Sequence, residues 1–141
     1  MASLSAFFKQ NAKQIENQKI VVSDRFCDEN GKPVEWEISC ISASENQKIR
    51  KNSIRNKPIV GKRGQYTQEF DAAAYQSRLA TKCIVFPDLN NKELQESYGA
   101  MDAEQLISAM LTPGEFDDLI LNITDLCGFK TEEELVEEAK N

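Results

Sequence analysis

The side chains able to do chemistry in this sequence are four cysteines and a surplus of carboxylates, and neither set has the partner that chemistry requires. No histidine occurs among the 141 residues, which removes the commonest general base and metal ligand near neutral pH. Cys27, Cys40, Cys83 and Cys127 therefore have no imidazole to draw off a thiol proton. Their wide scatter also lacks the paired spacing of a zinc site. They read as reduced, mostly buried thiols that pack as small hydrophobes, the usual state inside cells. The run Gly61-Lys62-Arg63-Gly64 is not a phosphate loop, because it lacks the earlier glycine and the Ser or Thr after lysine. Asp88 to Glu93 has calcium-loop composition, without glycine at the sixth position and with the wrong acid spacing. The carboxylates read as a solvated face. No catalytic residue, metal or cofactor is expected, so the chain reads as a binding protein and not an enzyme.

Charge is spread unevenly. The net value is −6, from 23 acids and 17 bases, yet from Asp88 onward the bases are Lys92, Lys130 and Lys140 alone. The sharpest basic run is Lys48 to Gly64, with Lys48, Arg50, Lys51, Arg55, Lys57, Lys62 and Arg63 and no acid. Two readings compete for it. Such a cluster could displace counterions from phosphates, making residues 48–63 a nucleic-acid patch of a small regulatory protein. It could equally be a solvated, flexible loop over about 54–66 between helices. Missing aromatic stacking residues and the acidity of the whole chain favour the loop and make nucleic acid the weaker partner.

The elements that must position these groups are legible from periodicity and punctuation. Ser3 to Gln14 is either a short helix with Leu4, Phe7 and Phe8 on one side or a tail that orders on a partner. Lys19–Phe26 and Val34–Ile41 have strand composition; in the second, Val34, Trp36, Ile38 and Cys40 alternate with polar residues. Asp28 to Lys32 supplies the turn. Ser42 and Glu45 form a capping-box pair opening a helix to about Ser53. Helix resumes near Thr67 and runs to Phe86, with Phe70, Ala73, Ala74, Leu79, Cys83 and Phe86 spaced as on a core helix. Pro87 ends it.

Past Pro87 the helix limits are nearly all written out. Asn90 can cap a helix over Lys92 to Tyr98, Gly99 ends it, and Asp102 starts the next. Thr112, Pro113 and Glu115 combine a hydroxyl cap, proline in the first turn and a carboxylate reaching back, and Gly128 closes that helix. Phe116, Leu119, Ile120, Ile123, Leu126 and Cys127 make a stripe suited to core packing or to a partner. Thr131 and Glu134 begin a very acidic terminal helix. The fold class is α+β: an N-terminal β-hairpin packed against a mostly helical body of about five short helices. A tail or short helix at 1–18 precedes one domain at 19–130, with the hairpin at 19–41 and helices at 42–130; an acidic helix or tail follows at 131–141. The longest apolar runs, Ile20 to Val22 and Cys83 to Phe86, fall far short of the roughly 20 residues of a membrane span. MASLSAFFKQN has no secretory pattern, so action in the cytoplasm, without a membrane, is expected.

Three segments carry a resemblance: SLSAFFKQN near the N-terminus, the hairpin VVSDRFCDENGKPVEWEI, and FPDLNNKELQESYGAMDAEQLISAMLTPGEFDDLILNITDLCGF from Phe86 to Phe129. The sequence resembles the XkdN-like tail assembly chaperones of phages and defective prophages of Gram-positive bacteria. The likeness spans nearly the whole chain and is most specific at Pro87 to Gly99 and Met110 to Phe116; the basic segment looks like a variable insertion. It implies a protein of the host cytoplasm, absent from the mature virion, that binds the tape-measure protein and keeps it soluble until tail-tube subunits polymerise around it. The implied partners are thus the tape-measure and tail-tube proteins, with self-association left open, and no cofactor or catalytic residue is implied.

The contact residues expected from side-chain chemistry are Leu4, Phe7, Phe8, Tyr98, Met101, Leu106, Met110 and Leu111, because methionine and aromatic groups adapt to imperfect apolar stripes. For Met110 and Leu111 a plain core role is the equal alternative. The resemblance also implies a short and a frameshifted long form. Ala139-Lys140-Asn141 can be encoded by codons containing a slippery heptamer, so extension past Asn141 by a minority of ribosomes is expected.

Overall fold

The computed structural model describes residues 3–129. The expected terminal helix at 131–141 and the proposed slip at Ala139 to Asn141 lie outside them. The α+β class holds: among the described residues, two small antiparallel sheets and five α-helices follow a short 3-10 helix at Leu4–Phe7.

The first sheet has the order β1 (Gln18–Ile20), β2 (Trp36–Ile38), β5 (Ile84–Phe86), with β2 antiparallel to both neighbours. The expected hairpin is present but narrow. Ile20 faces Trp36 and Gln18 faces Ile38, while the longer connection is tied by a single bridge between Cys27 and Pro33. Alternation explains β2: Trp36 and Ile38 are buried and Glu37 points away. β5 corrects the reading of one helix to Phe86. That helix, α2 (Ala72–Cys83), begins at its cap Asp71 and stops before Ile84, where the chain turns extended and pairs with β2. Isolated two-stranded hairpins are marginal in water, and the third strand removes that weakness.

The basic segment is a second correction. The stretch expected as a flexible loop over about 54–66 pairs with the start of the expected long helix, as β3 (Ile54–Pro58) and β4 (Tyr66–Phe70) in continuous antiparallel register. Gly61 and Gly64, both at positive φ, make the turn. Both strands are exposed along nearly all their length, so no apolar alternation marks them in sequence. Cross-strand charge supports them instead, with Arg55 opposite Glu69 at 3.5 Å and Lys57 near the same carboxylate at 3.9 Å. The base is anchored on the body. The Asp71 amide donates to the Ser53 carbonyl at 2.7 Å. Arg50, from α1 (Ala43–Lys51), lies over the Phe70 ring at 4.9 Å and the Tyr75 ring at 5.5 Å.

The remaining helices are α3 (Lys92–Ser97), α4 (Ala103–Met110) and α5 (Pro113–Cys127). Asn91, one residue later than expected, caps α3; Asp102 caps α4 as expected. In α5 both halves of the capping box form, and Gly128 ends the helix at φ 73°. Helices as short as α3 and α4 are marginal in isolation. α4 persists because Leu106, Ile107 and Met110 are buried against the core, each contributing roughly 1.5–3 kcal/mol. That core joins Trp36 and Ile38 of β2 to Leu79, Ala80 and Cys83 of α2 and to Leu119 and Ile123 of α5. α2 sits at its centre, touching α1, α4, α5 and β5. The α5 stripe is used for packing: Phe116, Ile120, Leu126 and Cys127 line the same core.

Candidate functional site

The expected contact residues divide between surface and core. Leu4, Phe7 and Phe8 lie on an N-terminal arm whose residues 3–19 are all exposed; Phe7 keeps 76% of its surface. The arm touches the body through Asn17, which donates to Glu37 at 3.1 Å. Tyr98 and Met101, on either side of the turn at Gly99, are exposed as well, Met101 at 84%. Leu106, Met110 and Leu111 are not surface residues: Leu106 is 0% exposed, and Met110 and Leu111 are buried with it. Their helical spacing marks the inner face of α4 and the chain just after it; of the expected contact residues, those exposed are Leu4, Phe7, Phe8, Tyr98 and Met101.

A concave surface that side-chain chemistry alone did not single out lies near Tyr98. It is an apolar groove of about 380 Å³ between the β1–β2 connection and α3. Phe26, Cys27, Val34 and Trp36 line it from one stretch of chain and Phe86, Pro87 and Leu94 from another, together with Arg25 and Met110. The Phe26 and Trp36 rings lie 6.1 Å apart with a tilt of 42°, an arrangement favourable for aromatic pairs. Phe86 remains 52% exposed on the outer side of β5. No sequence pattern could reveal this groove, because its lining runs from Arg25 to Met110 in segments that meet only after folding; the one hint is the density of aromatic and apolar residues at Phe26, Trp36 and Phe86.

Arg25 closes one end. Its guanidinium lies over Phe26 at 5.1 Å, donates to the Met110 carbonyl at 2.8 Å, and makes two bonds to the Glu115 carboxylate at 2.5 and 3.4 Å. Hydrogen bonding from Arg25 first, then from Ser23 and the Thr112 amide, lowers the Glu115 carboxyl to about 2. The same bond to Glu115 raises Arg25. Arg25 is therefore a neutralised structural cation and not a free positive charge in the groove.

The thiols are arranged differently from their scatter in sequence. Cys40, Cys83 and Cys127 meet where the chain after β2 crosses the ends of α2 and α5, while Cys27 is exposed. Burial pushes Cys83 up to about 12, and burial together with a hydrogen bond to Cys127 pushes Cys40 up to about 11. Thiols held protonated in this way are poor nucleophiles. Among the described residues no group of three or more Cys, Asp or Glu could hold a metal ion, and no helix is long and apolar enough to cross a membrane. At the tip of the β3–β4 hairpin Val60 is 98% exposed beside Lys62 and Arg63.

Comparison with known proteins bears on the family and the fold. A family model described as phage XkdN-like tail assembly chaperone protein matches residues 4–140. Phage-like element PBSX protein XkdN of Bacillus subtilis is 27% identical over 140 residues, covering 98% of this chain and 93% of its own. The uncharacterised protein YqbN of the same organism is 28% identical over 140 residues with the same coverage. A crystal structure of the protein YqbN superposes with a TM-score of 0.75 at 22% identity, covering 92% of this chain and 99% of that one, a likeness of fold.

Proposed function

This chain belongs to the XkdN-like tail assembly chaperones of phages, and we propose that it performs that role by binding the tape-measure protein, keeping it soluble and helping to recruit tail-tube subunits. The observation that carries the reading is the family match over residues 4–140, beside exposed apolar side chains on the N-terminal arm and at the Gly99 turn. A tape measure is a long, helix-prone chain with apolar stripes that would associate with one another before the tube exists. Covering those stripes reversibly calls for helix-in-groove contact from adaptable side chains. The exposed Leu4, Phe7, Phe8, Tyr98 and Met101 are the surface we assign to that contact. Action is in the host cytoplasm, with no catalytic step.

Co-expression tests the reading. The tape-measure protein encoded beside this chain is expected to be mostly insoluble alone and soluble when both are made together. Unchanged solubility would sink the proposal.

The basic hairpin supports a nucleic-acid reading less well. Arg55 and Lys57 are already engaged by Glu69, and Arg50 by two rings of the body, which leaves fewer cations to neutralise phosphates. A salt-dependent gel shift with duplex or single-stranded DNA would favour that alternative.

A further inference from the structure

The β3–β4 hairpin has two outer edges, and they are built differently. Its strands pack chiefly on each other and are exposed along nearly all their length. Where the ladder begins and ends, the Asp71 amide donates to the Ser53 carbonyl at 2.7 Å and the Ile59 amide to the Gln65 carbonyl at 3.1 Å. In an antiparallel ladder bonded and unbonded pairs alternate, so between these limits the bonded pairs are Arg55 with Glu69 and Lys57 with Thr67. The residues between them turn their backbone N–H and C=O groups outward: Ile54, Asn56 and Pro58 on β3, and Tyr66, Gln68 and Phe70 on β4. Among the described residues these outward groups of β4 have no hydrogen-bond partner. An open row of this kind is a template for another strand, and proteins commonly blunt it with lysine or proline. β3 is blunted, because Pro58 has no amide to offer and Arg55 and Lys57 flank the outward Asn56. β4, Tyr-Thr-Gln-Glu-Phe, carries neither proline nor a basic residue.

We propose that β4 pairs antiparallel with β4 of a second copy about a two-fold axis at Gln68, joining two of these two-stranded hairpins into one continuous sheet. That axis sets Gln68 against the partner's Gln68 and Tyr66 against the partner's Phe70. These are the positions whose backbone groups point outward, so each facing pair exchanges both of its N–H···O bonds. The side chains agree with the register. Tyr66, 62% exposed, meets the partner's Phe70, 41% exposed, and cross-strand aromatic pairs stabilise antiparallel sheets. Thr67 meets the partner's Glu69. Each Glu69 keeps Arg55 and Lys57 of its own hairpin, so no uncompensated like charge comes to the seam. The same operation on β3 fails, because an axis at Asn56 sets Arg55 against the partner's Lys57 and Ile54 against a proline without an amide. The occupant is a second copy because the β4 edge is complementary to itself, and a two-fold contact of this kind closes at the dimer. The pairing stands independently of the tape-measure reading.

Sedimentation velocity of the full chain over a concentration series tests this. The wild type is expected to pass from monomer to dimer and to stop there. Gln68→Pro removes the amide at the centre of the seam without touching a bond to β3. It is expected to weaken dimerisation about tenfold or more, through loss of the backbone bonds at the axis. Asn56→Pro, directly across the hairpin on the outer edge of β3, is expected to leave dimerisation unchanged. A cysteine pair reads the register without proline. Hydrogen-bonded partners lie about 5.5 Å apart at Cα, within the roughly 4.4–6.8 Å span of disulfides. Gln68→Cys treated with oxidised glutathione is therefore expected to link two copies through position 68, located by mass spectrometry of peptides, and Asn56→Cys is expected to form no such link. A wild type that stays monomeric at every concentration overturns the proposal, and so does growth past the dimer, the mark of open-ended pairing of β3 on β4. A dimer that Gln68→Pro leaves intact, or that Gln68→Cys fails to lock, lies elsewhere on the surface and overturns it too. If both proline variants are monomeric the cysteine pair decides: a link at 68 alone sustains the seam, and equal links at 56 and 68 refute it.

Discussion

Arg25, in the connection between β1 and β2, grips the carboxylate of Glu115 in the first turn of α5, 90 positions away in sequence. Glu115 does two things at once: it accepts from the Thr112 amide at 2.8 Å to complete the capping box, and it fixes the residue that closes one end of the groove. A helix start and the placement of a groove-lining residue thus depend on one side chain.

That sharing gives a pH dependence of definite sign. Arg25 holds the Glu115 carboxyl at about 2 in the folded chain, from an ordinary value of 4.5. A carboxyl lowered on folding stabilises the native state fully above its unfolded value, and the effect is lost as pH falls from 4.5 toward 2. Glu115→Gln is therefore expected to melt below the wild type at pH 7. The difference should shrink below pH 4.5 and vanish near 2, and because the pair is partly exposed it should also shrink with added salt. Thermal melts across pH check this; a difference that stays constant to pH 2 would contradict it.

Stability and partner binding should separate along the expected contact residues. Leu106→Ala empties a fully buried position and is expected to cost about 2–5 kcal/mol. Phe7→Ala and Met101→Ala, at exposed positions, should change stability by less than about 0.5 kcal/mol while weakening retention of the tape-measure protein. Urea denaturation paired with co-purification makes the comparison. Equal stability losses at all three positions would show that the arm and the Gly99 turn are packed and not free.

The thiols should react unequally. Cys27 is exposed, whereas Cys40 and Cys83 are held protonated. Native chain treated with iodoacetamide at pH 8 is expected to gain a single adduct, on Cys27, with Cys83 labelled only after unfolding; mass spectrometry of peptides reads this out. The sign at high pH follows from thiol values raised on folding: the protonated thiols stabilise fully below about 9, and that contribution is lost as pH rises through about 11 for Cys40 and about 12 for Cys83. Rapid labelling of Cys83 in folded chain at pH 8 would refute the buried arrangement.

Replacing Lys51, Arg55, Lys62 and Arg63 together by Ala is expected to leave tape-measure binding intact. The variant loses the Arg55 pairs to Glu69 and Asp71, but backbone pairing, Lys57 near Glu69 and Arg50 on Phe70 and Tyr75 remain to anchor the hairpin. Circular dichroism would confirm folding. Loss of binding by a folded variant would move the contact surface onto the hairpin.

What the sequence by itself determined is what short-range chemistry decides. Asp102, the Thr112-Pro113-Glu115 start and the left-handed Gly128 each act within one helical turn and stand where the residues indicate, while of the expected Ser42–Glu45 capping box only the Ser42 cap on the Glu45 amide forms. The alternation around Trp36 and Ile38 marked a strand with one buried face. The long motif from Phe86 to Phe129 placed the chain in its family, which the match over residues 4–140 shows. Tertiary structure decided the rest, because it depends on partners far apart in the chain. Ile84 to Phe86 continues a helical spacing in sequence, and only the free edge of β2 makes it a strand. Ile54–Pro58 and Tyr66–Phe70 carry no apolar alternation, so their pairing follows from cross-strand charge and the anchoring of both ends on the body. Whether an apolar residue of α4 faces solvent or core is a question of which helix lies opposite. Packing of α4 on α2 turned Leu106 and Met110 into the shared core with Leu111, and the groove took shape where Phe26, Val34, Phe86 and Leu94 come together from distant stretches of chain.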